Sequence, residues 1–200
     1  MAHALIVIDM QNDFCPGGAL AVAGGSDIVP GINAAMAQAD CVVLTQDWHP
    51  ATHLSFASQH AGRAPFDMVE MPYGPQVLWP HHCVQGSHGA AFHPALNVAG
   101  AHLILRKGYR REIDSYSAFF ENDKTTSTGL FGYLQQQGIT QITLAGLATN
   151  FCVAYSACDA ARLGLQVHLR TDLCRAIDLD GSLQAAQAQM AALGVQLVSH

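Results

Sequence analysis

A cysteine, a lysine and several carboxylates in this sequence each follow a short apolar segment of the kind that forms a buried strand. Asp9 and Asp13 follow the first such segment, Lys107 ends a later one, and Cys152 comes shortly after residues 141–145. A thiol attacks a carbonyl carbon once a carboxylate has taken its proton, and a nearby cation favours the thiolate. These residue types therefore indicate nucleophilic catalysis by cysteine.

Cys152 is the candidate nucleophile because it lies where a strand turns into a helix, and a helix N-terminus lowers the pKa of a thiol. We assign Asp13 as the base that takes the thiol proton, and we expect Asp9 to hydrogen-bond the backbone of its own loop. Lys107 within about 4–6 Å of both groups would stabilise their charged forms. The alternative is that Cys152 is an inert buried residue, as most cysteines are.

A second group of residues has the types of a metal site. Asp47 and His49 are two positions apart in an extended segment, and His82 lies in a loop further along the chain. A carboxylate with two imidazoles binds zinc, iron or manganese, and zinc is the metal we expect. His53 is an additional ligand or a residue that supports the ligands.

The elements that must position these residues alternate along the chain. Short β-rich runs are separated by segments with helical spacing, which is typical of β-α units around a parallel sheet. We expect an α/β, three-layer, doubly wound fold: a six-stranded, mainly parallel sheet with helices on both faces. The strand candidates are residues 4–8, 41–45, 102–105, 141–145, 166–169 and 195–198, and the helix candidates are 28–39, 129–137, 151–163 and 182–193. The expected N-caps are Ser26 or Asp27, Thr128, Asn150 and Asp180, and Gly194 is the expected C-cap.

The loops of this single domain differ in length and composition. Two of them, at about 47–94 and 108–124, are long and rich in His, Pro, Gly and aromatic residues. Ligands of open parallel sheets bind beyond the carboxyl ends of the strands, so we expect these loops to form the metal and substrate site there.

Composition excludes several classes of function. With 15 acidic and 9 basic residues the net charge is -6, which gives no basic field for nucleic acid. No apolar run approaches the roughly 20 residues of a membrane span. The six cysteines include no C-x-x-C pair, and the N-terminus does not have the pattern of a signal peptide, so we expect a cytoplasmic protein with free thiols.

The motifs together closely resemble the nicotinamidases, a branch of the isochorismatase-like cysteine hydrolases. The blocks occur in the order found in that family: DMQNDF at 9–14, PGGAL at 16–20, QDWHP at 46–50, WPHHCVQG at 79–86, KG at 107–108, DSYSAF at 114–119 and GLATNFCV at 146–153. One departure is Asn150, which stands where many relatives have an acid.

The resemblance implies a role for each matching position. Asp13, Lys107 and Cys152 would form the catalytic triad, and Asp47, His49 and His82 would bind a divalent metal. Phe14, Leu20, Trp79 and Tyr116 would enclose a flat heteroaromatic ring. A cis peptide at Leu147–Ala148 would direct the N–H groups of Ala148 and Cys152 into an oxyanion hole.

The resemblance also implies the reaction. We expect hydrolysis of nicotinamide to nicotinate and ammonia through a cysteine thioester, with pyrazinamide as a second substrate. One alternative is a metal-free cysteine amidase of the same fold that acts on a carbamoyl or ureido substrate. Another is a non-catalytic module that binds zinc or a ligand. The sequence leaves open whether the chain is a monomer or a homo-oligomer.

Overall fold

A six-stranded sheet forms the centre of the computed structural model, which describes residues 3–177 and 181–199. Every pair of neighbouring strands in it is parallel. Its strands lie in the order β5-β2-β1-β6-β7-β8, and a separate antiparallel hairpin consists of β3 and β4. The strands are β1 His3–Ile8, β2 Cys41–Asp47, β3 Met68–Met71, β4 Gly74–Val77, β5 Leu103–Lys107, β6 Gln141–Leu147, β7 Gln166–Arg175 and β8 Gln196–Val198.

Four helices cover the sheet: α1 Val29–Met36, α2 Leu130–Gln136, α3 Ala154–Arg162 and α4 Ser182–Ala192. The strand order reverses direction at β1, and crossovers between parallel strands are right-handed, so α1 lies on one face and α2, α3 and α4 on the other. The predicted three-layer, doubly wound fold is confirmed. Within the described residues, no helix is long and apolar enough to cross a membrane.

The central strands are largely apolar, and buried along most of their length, because helices cover both of their faces. β2 is buried at every position, and β1 at every position after His3. All six cysteines are buried and free, as predicted.

The structure corrects several predicted boundaries. The strand expected at 166–169 runs on to Arg175, and a shift of register opposite Leu144 and Gly146 accommodates the added length. The loop expected at 47–94 contains the β3–β4 hairpin. The helix expected from residue 151 begins at Ala154, because Phe151 has non-helical dihedral angles (φ −118°, ψ −107°) in the turn before it.

The structure shows some of the predicted helix caps and not others. Neither Ser26 nor Asp27 caps α1, which continues directly from a short 3₁₀ turn, Gly25–Ile28. Thr128 accepts the Leu130 N–H at 3.3 Å and so serves the start of α2. Beyond the end of α4, Gly194 has a positive φ of 78° and donates to Ala191 O, as a C-cap glycine does. The cap expected at Asp180 lies outside the described residues.

Candidate active site

Four neighbouring strands bring the chemistry-bearing residues to one edge of the sheet. Asp9 directly follows β1, Asp47 ends β2 and Lys107 ends β5, while Cys152 lies in the turn between β6 and α3. Asp47 and Lys107 are paired in the register of β2 and β5. The predicted convergence of strand ends therefore occurs.

Glycine at position 146 lets β6 approach β1 closely at this edge. Gly146 has a positive φ of 119°, and a Cβ atom there would lie 2.1 Å from Ile8 O. No side chain fits in that space, so the turn that carries Cys152 can lie against the end of β1, next to Asp9.

Lys107 is the centre of a buried charged cluster. Its Nζ atom lies 2.8 Å from Asp9 Oδ2, 2.5 Å from Asp47 Oδ1 and 3.5 Å from Cys152 Sγ. It also donates a hydrogen bond to Ser115 O. Burial disfavours the ammonium, but the two carboxylates outweigh burial and raise the pKa of Lys107 well above its ordinary value. Lys107 is therefore charged and holds the cluster together.

The Cys152 thiol is protonated in the resting protein. Burial raises its pKa well above the ordinary value, and the opposing effect of Lys107 is smaller. The expectation of a lowered pKa was wrong, because it counted the helix end and the cation but not the loss of water around a buried sulfur. A base is therefore needed to generate the thiolate.

Asp9, and not Asp13, is the carboxylate beside this thiol. Asp9, Asp47 and Cys152 each offer an atom within 4.8 Å of the others. Asp9 Oδ1 accepts a hydrogen bond from Thr45 Oγ1 at 2.5 Å. Burial raises the pKa of Asp9 to about 6, against the opposing effect of Lys107. The site thus contains a carboxylate whose proton affinity suits a base at neutral pH.

The assignment of Asp13 as the base was wrong. Its carboxylate accepts hydrogen bonds from Cys83 N at 2.7 Å and Ala19 N at 3.2 Å, in a different loop region. Asp13 lies in a 3₁₀ turn, Asn12–Phe14, which carries the chain away from the strand end. The signal that identifies Asp9 is its position directly after β1, which matches the positions of Asp47 and Lys107 on their strands.

Asp47, His49 and His82 form the predicted metal-ligating group. Their ligand atoms lie within 4.8 Å of one another, and all three side chains are buried. Asp47 Oδ2 lies 3.6 Å from His49 Nε2 and 4.0 Å from His82 Nε2.

The backbone fixes which nitrogen each imidazole presents. His49 Nδ1 hydrogen-bonds to Gly108 O and His82 Nδ1 to Pro80 O, both at 2.8 Å. Each Nδ1 therefore carries the proton and donates it, which leaves the Nε2 lone pair directed at Asp47. Burial lowers the pKa of His82 to about 4, so this imidazole is neutral. Burial acts to lower the pKa of His49, but Asp47 outweighs burial and raises it. Two imidazoles held through the second nitrogen, beside a carboxylate, fit a divalent cation.

Two other histidines lie near this group. The ring of His53 is 4.5 Å from that of His49, but its Nδ1 contacts Ser55 Oγ at 2.7 Å and its Nε2 contacts Ile113 O at 3.3 Å. His53, His49 and Asp114 also offer ligand atoms within 4.8 Å of one another, so His53 stays a candidate for an additional ligand or a supporting residue. His81 is exposed and contacts Ser58 Oγ, so it lies away from the cluster.

An aromatic cavity opens beside Cys152, and the four predicted pocket residues all line it. Trp79 Nε1 donates to Tyr116 Oη at 3.0 Å, which fixes two of its walls. The sequence did not single out three further lining residues, Asp114, Phe151 and Ile177; of these, Phe151 adjoins Cys152 in the chain and was the easiest to find. The lining side chains are Phe14, Leu20, Asp47, Trp79, His82, Asp114, Tyr116, Ala148, Phe151, Cys152 and Ile177.

The turn that contains Cys152 has two notable features, a cis peptide bond before it and the side-chain bonds of Asn150. The Leu147–Ala148 peptide is cis, as the resemblance implied. Asn150 does not cap α3. Instead its Nδ2 donates to Ile177 O at 2.5 Å and to Ser182 Oγ at 2.8 Å, while its Oδ1 accepts the Ile177 N–H at 3.1 Å. Asn150 therefore ties this turn to the segment that carries one wall of the cavity.

Comparison with known proteins gives a consistent result. The family model described as the isochorismatase domain matches residues 3–200. The chain is 57% identical over 196 residues to the nicotinamidase of Acinetobacter baylyi, covering 98% of this chain and 92% of that relative.

Solved structures agree in fold and in sequence. The structure of a nicotinamidase pyrazinamidease from Acinetobacter baumanii has a TM-score of 0.97 at 52% identity, covering 98% of this chain and 95% of that one. The pyrazinamidase of Pyrococcus horikoshii, solved in complex with zinc, has a TM-score of 0.80 at 32% identity and covers 100% of both chains.

Proposed function

Since the chain belongs to the isochorismatase family, we propose that it hydrolyses nicotinamide to nicotinate and ammonia through a thioester on Cys152. The observation that carries this proposal is the position of Lys107, whose Nζ lies within 3.5 Å of Cys152 Sγ and contacts both Asp9 and Asp47. The nucleophile thus lines an aromatic cavity, and the cation and the base lie next to this nucleophile, outside the set of residues that lines the cavity. The 57% identity to a nicotinamidase supports the choice of substrate.

The first half of the reaction forms the thioester. Asp9 takes the proton of the Cys152 thiol, and the thiolate attacks the carboxamide carbon. Lys107 stabilises the thiolate as it forms, because its ammonium is buried and fixed. The N–H groups of Ala148 and Cys152 donate to the oxyanion of the tetrahedral intermediate. Asp9 then gives its proton to the departing nitrogen, which leaves as ammonia.

The second half releases the acid. Asp9, again a carboxylate, takes a proton from an incoming water, and the resulting hydroxide attacks the thioester carbon. The C–S bond breaks, nicotinate leaves, and the proton on Asp9 returns to the Cys152 sulfur. One carboxylate serves both halves, which requires a pKa close to the working pH, and burial provides this.

Asp47, His49 and His82 would hold a divalent cation at the inner end of the cavity. The donor set of one carboxylate and two imidazoles is one that zinc accepts, and iron and manganese are the alternatives. The cation would supply a Lewis acid that orients the ring nitrogen of the substrate. Elemental analysis of protein purified without added metal identifies it.

The aromatic lining favours a flat ring. Phe14, Trp79, Tyr116 and Phe151 line the cavity. The rings of Trp79, Tyr116 and Phe151 meet edge to face. A pyridine carboxamide is matched by such walls, and pyrazinamide has the same outline, so it serves as a second substrate.

Ammonia release from nicotinamide, pyrazinamide and an N-carbamoyl amino acid tests the function. We expect turnover of the first two, loss of turnover after treatment with a chelator, and its return on adding back zinc. Turnover of the carbamoyl compound alone, unaffected by the chelator, would overturn the proposal in favour of a metal-free amidase.

A further inference from the structure

The Asp13 carboxylate lies outside the charged cluster and is held by two backbone N–H groups. Its Oδ2 accepts the Cys83 N–H at 2.7 Å and its Oδ1 accepts the Ala19 N–H at 3.2 Å. Its backbone is also held, because Asp13 N donates to Gly89 O and Leu20 N donates to Asp13 O. Asp13 therefore joins its own loop to two points of the long loop after β2, at Cys83 and Gly89.

Cys83, the partner of Asp13 Oδ2, lies between the two imidazole-bearing segments. It directly follows His82 in the chain, and its carbonyl oxygen accepts the backbone N–H of His49 at 3.0 Å. Cys83 has a positive φ of 47°, a conformation that residues other than glycine seldom adopt without support from their surroundings. The bond from Cys83 N–H to Asp13 is such a support.

The position of the carboxylate is fixed from its other side by a glycine. A Cβ atom on Gly89 would lie 2.0 Å from Asp13 Oδ2 and 2.3 Å from Asp13 Cγ. Gly89 does not have a positive φ, so its backbone conformation is open to other residues. Space for the Asp13 carboxylate is thus the reason for glycine at position 89.

From these contacts we infer that Asp13 is a positioning residue for the metal ligands. It holds the Cys83 peptide, which in turn fixes His82 through the chain and His49 through a hydrogen bond. This inference rests on the proposed function, since it takes Asp47, His49 and His82 to be the ligands. This positioning role replaces the role in proton transfer that the sequence suggested for Asp13.

Two substitutions disturb the carboxylate in different ways. Asp13→Asn keeps the shape, but the amide has one acceptor oxygen for two N–H donors, and its NH₂ group faces the second donor. Gly89→Ala keeps the charge of Asp13 and displaces the carboxylate from Cys83 N–H. Gly132→Ala, in α2, is the control, because its Cβ meets no atom within 4 Å.

The experiment measures zinc affinity by competition with a chelator, thermal unfolding of the metal-free proteins, and the rate at which iodoacetamide labels Cys152, located by peptide mass spectrometry. We expect Asp13→Asn and Gly89→Ala each to weaken zinc binding about 10–100-fold, as loss of a group that supports metal ligands does. Labelling of Cys152 in the metal-free proteins stays within twofold of the parent chain, and saturating zinc restores turnover. Gly132→Ala changes none of these values.

Opposite results overturn the inference. If Asp13→Asn binds zinc as tightly as the parent chain, Asp13 does not position the ligands. Slowed labelling of Cys152 with unchanged zinc affinity would assign Asp13 to proton transfer instead. If Asp13→Asn fails to fold, Gly89→Ala decides by the same criteria. Failure of the parent chain itself to bind zinc or release ammonia would refute the proposed function, which is a separate outcome.

Discussion

Asp47 contacts Lys107 through one carboxylate oxygen and faces both imidazoles through the other. Its Oδ1 lies 2.5 Å from Lys107 Nζ, and its Oδ2 lies 3.6 Å from His49 Nε2. The lysine lowers the pKa of Asp47 although burial acts in the opposite direction, so the carboxylate is ionised. One side chain thus belongs to both the charged cluster and the proposed metal-ligating group, and we expect a change at either to affect the other.

Replacing Cys152 by alanine should abolish ammonia release, because the nucleophile is lost. Zinc content should stay unchanged, since Cys152 is not one of the three proposed ligands. The matched control is Cys158→Ala, a buried cysteine in α3 away from the charged cluster. Turnover by the Cys152 variant above a thousandth of the parent rate would contradict a covalent mechanism.

Replacing Asp9 by asparagine should lower kcat about 10²–10⁴-fold, the usual contribution of a positioned base. Labelling of Cys152 by iodoacetamide at pH 7 should also slow, since burial raises the pKa of the thiol. Asp47, the neighbouring carboxylate that remains, has a lowered pKa and is therefore a weak base. Parallel assays on Asp13→Asn separate the two aspartates. An Asp9→Asn enzyme within tenfold of the parent kcat would exclude Asp9 as the base.

Replacing Lys107 by methionine should destabilise the fold by about 3–5 kcal/mol, because two buried carboxylates lose the cation that they share. Urea unfolding measures this loss. Lys124→Met is the control: Lys124 is 43% exposed and pairs with Asp159, and such a pair contributes about 0–1 kcal/mol. Equal effects of the two substitutions would show that the Lys107 cluster adds little to stability.

Replacing Asn150 by aspartate should raise KM for nicotinamide about tenfold, with a smaller effect on kcat. The variant keeps the acceptor for Ile177 N–H but loses the donor to Ile177 O, and an unsatisfied buried group costs about 1–3 kcal/mol. Ile177 lines the cavity, so its displacement alters substrate binding.

Asn33 provides a control for the Asn150 substitution. It makes the same pair of bonds far from the cavity, donating to Ala95 O at 2.8 Å and accepting from Asn97 N at 2.9 Å. Asn33→Asp should lower stability less, because water can replace its exposed bonds, and should leave KM unchanged. An unchanged KM in Asn150→Asp would mean that this contact does not shape the cavity.

Replacing Gly108 by alanine should weaken zinc binding about tenfold or more. A Cβ there would lie 2.5 Å from His49 Cε1, and Gly108 has a positive φ of 65°. The His49 ring and its bond to Gly108 O would both shift. Chelator competition measures the affinity, with Gly132→Ala as the reference, and an affinity equal to that of the parent chain would argue against His49 as a ligand.

The fold was largely predictable from residue patterns. Short apolar runs between segments with helical spacing identified all six strands of the main sheet, because a parallel strand covered on both faces is largely apolar. The exact ends of the strands and helices were predicted less well. The turn at Phe151 and the extension of β7 to Arg175 depend on how neighbouring strands pack, and no local preference encodes that.

The sequence by itself determined which residue types carry the chemistry: a thiol, a lysine, carboxylates and imidazoles at strand ends. The tertiary structure alone decided which aspartate meets the thiol. Asp9 and Asp13 are four residues apart and chemically identical. Asp9 stays at the strand end beside Lys107, whereas Asp13 lies in a 3₁₀ turn that brings it to Cys83 N–H. Burial likewise reversed the expected direction of the Cys152 pKa, because the removal of water from a sulfur is a property of the whole fold.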